Sequence, residues 1–280
     1  MTMPDPLRAA IDDFVRVALA EDLGDVGDIT SAAVIPAETQ LAAALVAREP
    51  LVVAGLDAAA AVFRALDPVA VFSVAVPDGS AAAAGEVIAR VGGDGRALLA
   101  GERSALNIVQ HLSGIATVTR AYVEAVAGTG TVLLDTRKTI PGLRVLDKYA
   151  VRMGGGTNHR MGLWDAVLIK DNHVALAGGV GEAVRRAKAL GHVVEVEVDR
   201  LEQIEPALAA GADRLLLDNM DVPTLRDAVA LVAGRVPTEA SGGVRLDTVR
   251  GIAATGVTYV SVGRLTQSAP AVDIGLDWTG

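Results

Sequence analysis

The sequence predicts an α/β protein whose second part is an incomplete (β/α) barrel of about six parallel strands. Three observations carry that expectation. Hydrophobic residues make up 51% of the 280 residues but aromatics only 3%, and much of the apolar content is Ala and Val. Such small side chains suit helices packed closely on a sheet. Short apolar runs begin near residues 131, 166, 193, 214, 236 and 258, with helical patterns such as "GEAVRRAKALG", "LEQIEPALAAG" and "RLDTVRGIAATG" between them. Strand and helix alternating at that spacing means βα units with parallel strands. No glycine-rich dinucleotide turn follows the first of these strands, which argues against a doubly wound open sheet.

Before residue 130 the order is mixed. A helix is expected over roughly 5–22, where acids punctuate the apolar pattern; this is an amphipathic helix and not a signal peptide. The acidic loop "EDLGDVGDIT" follows. Strands are expected at "LAAALVA", "AVFSVAV" and "EVIARV", with a helix at "LDAAAAVFRALD". A long helical stretch, "RALLAGERSALNIVQHLSGIATVTRAYVEAVAG", ends this part, and Gly114 inside it marks a break or a close packing contact. The expected result is a mixed sheet with helices.

Composition removes several function classes. The formal net charge is −9, which opposes nonspecific nucleic-acid binding. There is no cysteine, hence no disulfide and no thiol nucleophile. No long apolar run is free of charge, so no membrane span is expected, and a soluble cytoplasmic protein is.

Against the acidic background, "TRKTIPGLRVLDKYAVRMGGGTNHR" holds Arg137, Lys138, Arg144, Lys148, Arg152, His159 and Arg160 against one acid, Asp147. Arg144, Lys148 and Arg152 stand at i, i+4 and i+8, and Lys148 and Arg152 read as a solvated helix face. Arg137 and Lys138 directly follow a strand end, where barrel enzymes carry their chemistry. The other strand ends read Lys170-Asp171-Asn172-His173, Glu195 to Asp199, Asp218-Asn219, Ser241-Gly242-Gly243 and Gly263. In "VVEVEV" the strand period puts Glu195 and Glu197 on one face, pointing into the barrel if the valines face the helices; buried acids there need partners or a metal. Glycines at the last two strand ends suit a phosphate held on backbone N–H groups. Cations, a phosphate nest and oxygen donors for Mg²⁺ together fit a sugar phosphate bearing a pyrophosphate, met by an acidic second substrate. His111 reads as a packed core histidine and His192 as a surface residue.

The run "LDTRKTIPGLRVLDKYAVRMGGGTNHRMGLWDAVLIKDNH" closely resembles the quinolinate phosphoribosyltransferase family. The likeness includes "EDLGDVGDIT", "GERSALNIVQHLSGIAT", "VEVEVDRLEQ", "LLLDN", "SGGV" and "VDIGLD", and so spans almost the whole chain. It implies an N-terminal α/β sandwich domain over 1–115, joined by 268–280, and an α/β barrel catalytic domain over 116–267. It implies a pentosyltransferase that joins quinolinate to phosphoribosyl pyrophosphate with Mg²⁺, giving nicotinate mononucleotide, pyrophosphate and CO₂ in NAD synthesis. It also implies a homodimer or larger assembly.

Carried over residue by residue, the resemblance gives Arg137, His159 and Arg160 to the quinolinate carboxylates. Lys138 and Lys170 would lie between these and the pyrophosphate. Glu197 and Asp218 would face the ribose and Mg²⁺. Ser241, Gly242, Gly243 and Gly263 would hold the 5′-phosphate, and Arg103 would reach in from the neighbouring chain. Near the last strand the family commonly has Gly-Ala-Leu-Thr-His-Ser, where this chain has Gly263-Arg264-Leu265-Thr266-Gln267-Ser268; Gln267 therefore replaces a phosphate-side histidine. The rivals are the molybdenum-transport-associated paralogue of the family, nicotinate phosphoribosyltransferase, a Schiff-base lyase using Lys170, and a non-catalytic phosphate-sensing protein.

Overall fold

The computed structural model describes residues 6–279. In the first part, helices α1 (Pro6–Leu23) and α2 (Ile29–Val34) precede strands β1 (Gln40–Ala47) and β2 (Leu51–Val52). Helix α3 (Leu56–Leu66), strands β3 (Val71–Val74), β4 (Ala81–Ala82) and β5 (Val87–Asp94), and helix α4 (Gly95–Val126) follow. Then come β6 (Val132–Leu134), α5 (Arg144–Met153), β7 (Val167–Ile169), α6 (Asp171–Ala177), α7 (Val180–Ala189), β8 (Val194–Val198) and α8 (Ile204–Ala209). The chain continues through β9 (Arg214–Asp218), α9 (Val222–Val232), β10 (Thr238–Ser241), α10 (Val249–Ala253), β11 (Tyr259–Ser261), α11 (Arg264–Gln267) and β12 (Ile274–Trp278). Helix α1 was expected from about residue 5, and that residue lies outside the described ones.

The described residues gather into two compact units. One takes the chain through Arg120, then Thr139–Gly155, then Thr266 onward; the other takes Ala121–Lys138 and Gly156–Leu265. Helix α5, which lies within the 116–267 segment, thus belongs to the first unit.

The first unit is built on an antiparallel sheet ordered β12-β1-β5-β3, so the last residues of the chain pair with its first strand, Leu276 opposite Leu45. Its helices start where sequence chemistry supplies N–H partners. Asp28 caps α2 by accepting from Thr30 N–H and Ser31 N–H, both at 3.0 Å. Gly55 precedes α3 in the left-handed region at φ 97°, and Asp78 takes its N–H at 2.7 Å. The Tyr149 hydroxyl donates to the same carboxylate at 2.7 Å, which ties α5 to the start of α3. The expected break at Gly114 is absent: α4 runs through it. What the glycine provides is close packing, because a Cβ there would lie 2.1 Å from the Pro270 carbonyl oxygen.

The cationic stretch on α5 needs a correction. Arg152 is exposed as a solvated face requires, but Lys148 is fully buried, beside a buried Asp147. Asp147 Oδ1 lies 2.8 Å from His111 Nε2, and its Oδ2 accepts from Ile140 N–H at 3.2 Å. His111 is therefore half-buried and polar-paired, not apolar-packed. The i, i+4 spacing marks one helix face but does not say which face meets solvent. Here the stripe is split by a carboxylate that must be buried with partners.

The second unit is a six-stranded sheet in which each adjoining pair is parallel, ordered β6-β11-β10-β9-β8-β7. The first and second strands of this unit are its two edges, so the barrel is incomplete, as expected. On the open edge of β6 the chain returns once: Thr157 bridges Leu134 in parallel. Val194, Val196, Val198, Leu215, Leu217 and Val260 are fully buried on the outer face. The covering helices contribute Val184, Ile204, Ala207, Ala228 and Val249, also fully buried. At roughly 1.5–3 kcal/mol per buried aliphatic side chain, this layer is the main attraction holding the βα units together.

Gly114→Ala tests the α4 contact. Alanine gains about 1 kcal/mol of helix propensity, but overpacking against a backbone carbonyl costs about 1–3 kcal/mol. We expect a net loss in the urea unfolding midpoint; a gain would show that the Pro270 turn yields freely.

Candidate active site

Strand register decides which side chains turn inward. Parallel neighbours in register share a face, and Glu195 stands opposite Arg214 while Glu239 stands opposite both Leu216 and Tyr259. With the outer positions taken by Val194, Val196, Leu215 and Leu217, the inner face carries Glu195, Glu197, Arg214, Leu216, Asp218, Glu239, Ser241 and Tyr259. Both glutamates of "VEVEV" point inward, as the alternation predicts.

Low in the barrel these groups form a charge network. Arg214 Nη1 lies 3.3 Å from Glu239 Oε2 and 3.7 Å from Glu195 Oε1, and its guanidinium sits 4.1 Å from the Tyr259 ring centre. His159 enters from the segment beyond Thr157, its Nε2 3.1 Å from Glu195 Oε2 and 3.5 Å from Glu239 Oε2. Asp135, fully buried at the end of β6, holds that segment by accepting from His159 N–H at 2.8 Å and from Asn158 Nδ2 at 2.6 Å.

Protonation in the network follows from burial and charge. Burial favours the neutral His159 ring, yet Glu195 and Glu239 outweigh it and push the ring up to about 9. The Arg160 N–H opposes a second ring proton, since it donates to Nδ1 at 2.7 Å and needs the lone pair there. Burial also raises Glu195, so that it competes for the same proton. For Glu239 burial acts in the same sense but is outweighed, and His159, Ser261 and Arg214 hold it low. By donor type, His159, Glu195 and Glu239 are a metal-capable trio, with ligand atoms within 4.8 Å of one another. Arg214 already supplies the positive charge there, and a divalent ion beside a guanidinium would be repelled.

Above the network lies the rim formed by strand ends. Lys170 Nζ, after β7, lies 3.3 Å from Glu197 Oε2, near the end of β8. Asp218 ends β9 on the same face; Glu197 and Asp218 thus offer carboxylate oxygens from neighbouring strands, the donor type Mg²⁺ prefers. Lys138 lies across Gly263: a Cβ on that glycine would stand 2.8 Å from Lys138 Cδ. The expected phosphate nest has the backbone for it. Gly242 and Gly243 both adopt left-handed φ, 96° and 59°, and a Cβ on Gly242 would meet Asn219 Oδ1 at 2.2 Å. Asn219, itself at φ 54°, donates its N–H to Ser241 O at 2.9 Å, which locks the β9 and β10 loops together.

Arg137 follows β6, and it is close enough to Arg160 for their like charges to repel. The Arg160 guanidinium lies below the usual arginine range through partial burial and then through Arg137. Its Nη1 donates to Ala166 O at 2.9 Å. Two cations held together against repulsion make a receptor for an anion.

The second unit thus contains Arg137, Lys138, His159, Arg160, Lys170, Glu197, Asp218, Ser241, Gly242, Gly243 and Gly263. Arg103, exposed on α4, and Gln267, exposed at the end of α11, belong to the first unit. Sequence reasoning did not single out Glu239 or Arg214, and it gave Asp135 no role beyond its place at a strand end. The alternation already used for Glu195 and Glu197, applied to "TEAS", would have put Glu239 on the face of Ser241.

The model of the quinolinate phosphoribosyl transferase N-terminal domain matches residues 28–113, and that of the C-terminal domain matches residues 115–277. The chain belongs to this family. The nicotinate-nucleotide pyrophosphorylase [carboxylating] of Mycobacterium leprae is 48% identical over 272 residues, 95% of this chain and 96% of its own. The probable enzyme of the same name from Bacillus subtilis is 44% identical, over 92% of this chain and 90% of its own. Among solved structures, the nicotinate-nucleotide pyrophosphorylase of Francisella tularensis superposes with a TM-score of 0.93 at 41% identity, covering 98% of both chains. The family expectation for the fold, an α/β sandwich part plus an incomplete barrel of about six parallel strands, therefore holds, although the four-stranded sheet of the first unit is antiparallel where a mixed sheet was expected.

The nest is testable without substrate. Gly243→Ala meets open space and should cost only the left-handed penalty, about 1–2 kcal/mol. Gly242→Ala also collides with Asn219 and should lose roughly 1–3 kcal/mol more. Equal shifts in the unfolding midpoint would show that Asn219 gives way.

Proposed function

We propose that the rim of the second unit binds quinolinate and phosphoribosyl pyrophosphate and that the chain acts as a carboxylating nicotinate-nucleotide pyrophosphorylase. The phosphoribosyl group passes to the pyridine nitrogen, and nicotinate mononucleotide, pyrophosphate and CO₂ leave, a step of NAD synthesis. The observation that carries this reading is the repelling pair Arg137 and Arg160, a receptor for a dicarboxylate. Planar guanidinium forks meet carboxylates in a bidentate way.

The remaining roles follow from charge. Lys138 and Lys170 stand to neutralise the departing pyrophosphate, and Ser241, Gly242, Gly243 and Gly263 to hold the 5′-phosphate on backbone N–H groups. Glu197 and Asp218 would hold Mg²⁺ with the substrate's own oxygens and water, and the bound ion would supply charge neutralisation at the pyrophosphate. The same two carboxylates face the ribose, where positive charge grows as its bond to pyrophosphate breaks. No protein nucleophile is required: the chain positions two anions and complements the charge that develops between them. The nitrogen, once alkylated, is the electron sink that lets the adjacent carboxylate depart as CO₂. Gln267 would contribute a neutral amide on the phosphate side, with Arg264 as an added cation.

A homo-oligomer in the cytoplasm is part of the proposal, with exposed Arg103 serving the neighbouring chain's site. No helix among the described residues is long and apolar enough to cross a membrane.

The deciding assay mixes the protein with Mg²⁺, quinolinate and phosphoribosyl pyrophosphate and follows CO₂ with nicotinate mononucleotide. Binding without turnover would favour a phosphate sensor, and turnover of nicotinate without CO₂ would favour the non-decarboxylating reaction. For the shared site, Arg103→Ala and Lys138→Ala chains, each inactive alone, should regain part of the activity when mixed, because some hybrid dimers hold one intact site. No recovery despite proven subunit exchange would remove the role of Arg103 across chains.

A further inference from the structure

Two residues other than glycine among the described ones have left-handed φ, Asn219 at 54° and Ala233 at 52°. Ala233 ends α9, a place where left-handed backbone is common. Asn219 ends no helix; it directly follows β9 and precedes Asp221, the cap of α9. Costly backbone of this kind persists only where its surroundings hold it, and it gathers at functional positions. A glycine would make the same turn without strain, so the turn alone gives no reason for an asparagine.

The contacts of the side chain supply the reason. In a continued strand Asn219 would point to the opposite face from Asp218. The left-handed turn brings its side chain back beside Asp218, where Nδ2 donates to Asp218 Oδ2 at 2.6 Å. Among the described residues no other group donates to that carboxylate, so Oδ1 stays open. Two further contacts join Asn219 to the loop after β10. Its N–H donates to Ser241 O at 2.9 Å, and its Oδ1 takes the space beside Gly242, where a Cβ would stand 2.2 Å away. One residue thus braces both the acid at the end of β9 and the glycines at the end of β10.

We infer that Asn219 is a positioning residue that holds the Asp218 carboxylate at a fixed distance from the glycine nest. Its amide engages Oδ2 and stops the carboxylate from rotating, which leaves Oδ1 to face the ribose. The nest, braced by the same residue, faces the 5′-phosphate. A pentose 5-phosphate spans both groups, and Asn219 is the spacer matched to that unit. Quinolinate meets neither group. The inference rests on the proposed binding of phosphoribosyl pyrophosphate at this rim.

The test is equilibrium binding of ribose 5-phosphate to full-length Asn219→Gly and to the wild type, with Mg²⁺ present throughout. Glycine keeps the left-handed turn and the N–H to Ser241 and removes only the amide. Losing one hydrogen bond to a charged group should raise the Kd of ribose 5-phosphate about tenfold. The Kd of quinolinate, bound at a separate set of cations, should stay within about twofold. The urea midpoint should stay near wild type, a combination that a loosened fold does not give. An unchanged Kd for ribose 5-phosphate, or equal rises for the two ligands, would overturn the inference.

Asn219→Asp decides the matter if the glycine variant does not fold. Aspartate keeps the size and tolerates the turn, but at neutral pH it has no proton to donate to Asp218. The same rise for ribose 5-phosphate is expected, and its absence is equally fatal. A wild-type protein that binds neither ribose 5-phosphate nor phosphoribosyl pyrophosphate would remove the functional reading and the inference with it. Equal binding by wild type and variants would remove only the role of Asn219.

Discussion

Everything the second unit presents at its rim depends on neutralising two carboxylates inside a barrel with an apolar shell. An ionised carboxylate left unpaired there would cost several kcal/mol. Arg214 and His159 meet that demand from opposite sides, one from a strand of the barrel and one from the segment that returns along its open edge. The second partner is the consequential one. A cation supplied by the sheet alone would leave the segment from Gly156 to Ala166 with little to anchor it. Taking the partner from that segment pins it to the interior, with Asp135 as a second pin. The electrostatic debt of the core thereby becomes the force that orders a loop.

The same logic explains why the barrel stays open. Strands β6 and β7 do not pair, and between them runs the chain that carries Thr157, His159 and Arg160. A seventh or eighth strand there would satisfy backbone groups as well, but it would exclude the imidazole. One bridge, Leu134 to Thr157, satisfies part of the exposed edge of β6 instead: Thr157 N–H donates to Leu133 O at 2.9 Å and Asp135 N–H to Thr157 O at 3.1 Å.

Much of this was legible before any coordinates. The six βα units, the inward turn of Glu195 and Glu197, and the polar strand ends follow from periods of 2 and 3.6, which local sterics impose whatever the tertiary context. Gly242 and Gly243 were legible as a nest because left-handed backbone strongly favours glycine. Lys148 was not legible. Its spacing with Arg144 and Arg152 is that of a surface stripe, and only the burial of Asp147 beside it decides otherwise. The pairing of Gly114 with the Pro270 turn was equally out of reach, since contacts between residues so distant in the chain leave no local pattern. Glu239 lies between these cases: the alternation of "TEAS" contains it, but a single acid in a four-residue strand carries little weight until a partner is known.

The two sets of cations differ in kind, and that difference follows from what each must meet. Lys138 and Lys170 are exposed lysines, flexible point charges that can follow a group as it leaves. Arg137 and Arg160 are half-buried, planar and mutually repelling, so they are costly to hold together. A rigid dicarboxylate needs fixed forks, and fixed forks need a frame that withstands their repulsion in the absence of ligand. For Arg160 that frame is visible: its N–H on His159, its Nη1 on Ala166 O, and beneath both the glutamates that hold the imidazole. The repulsion stored between the two guanidiniums is relieved when an anion arrives, which turns part of the folding stability of the barrel into affinity at its rim.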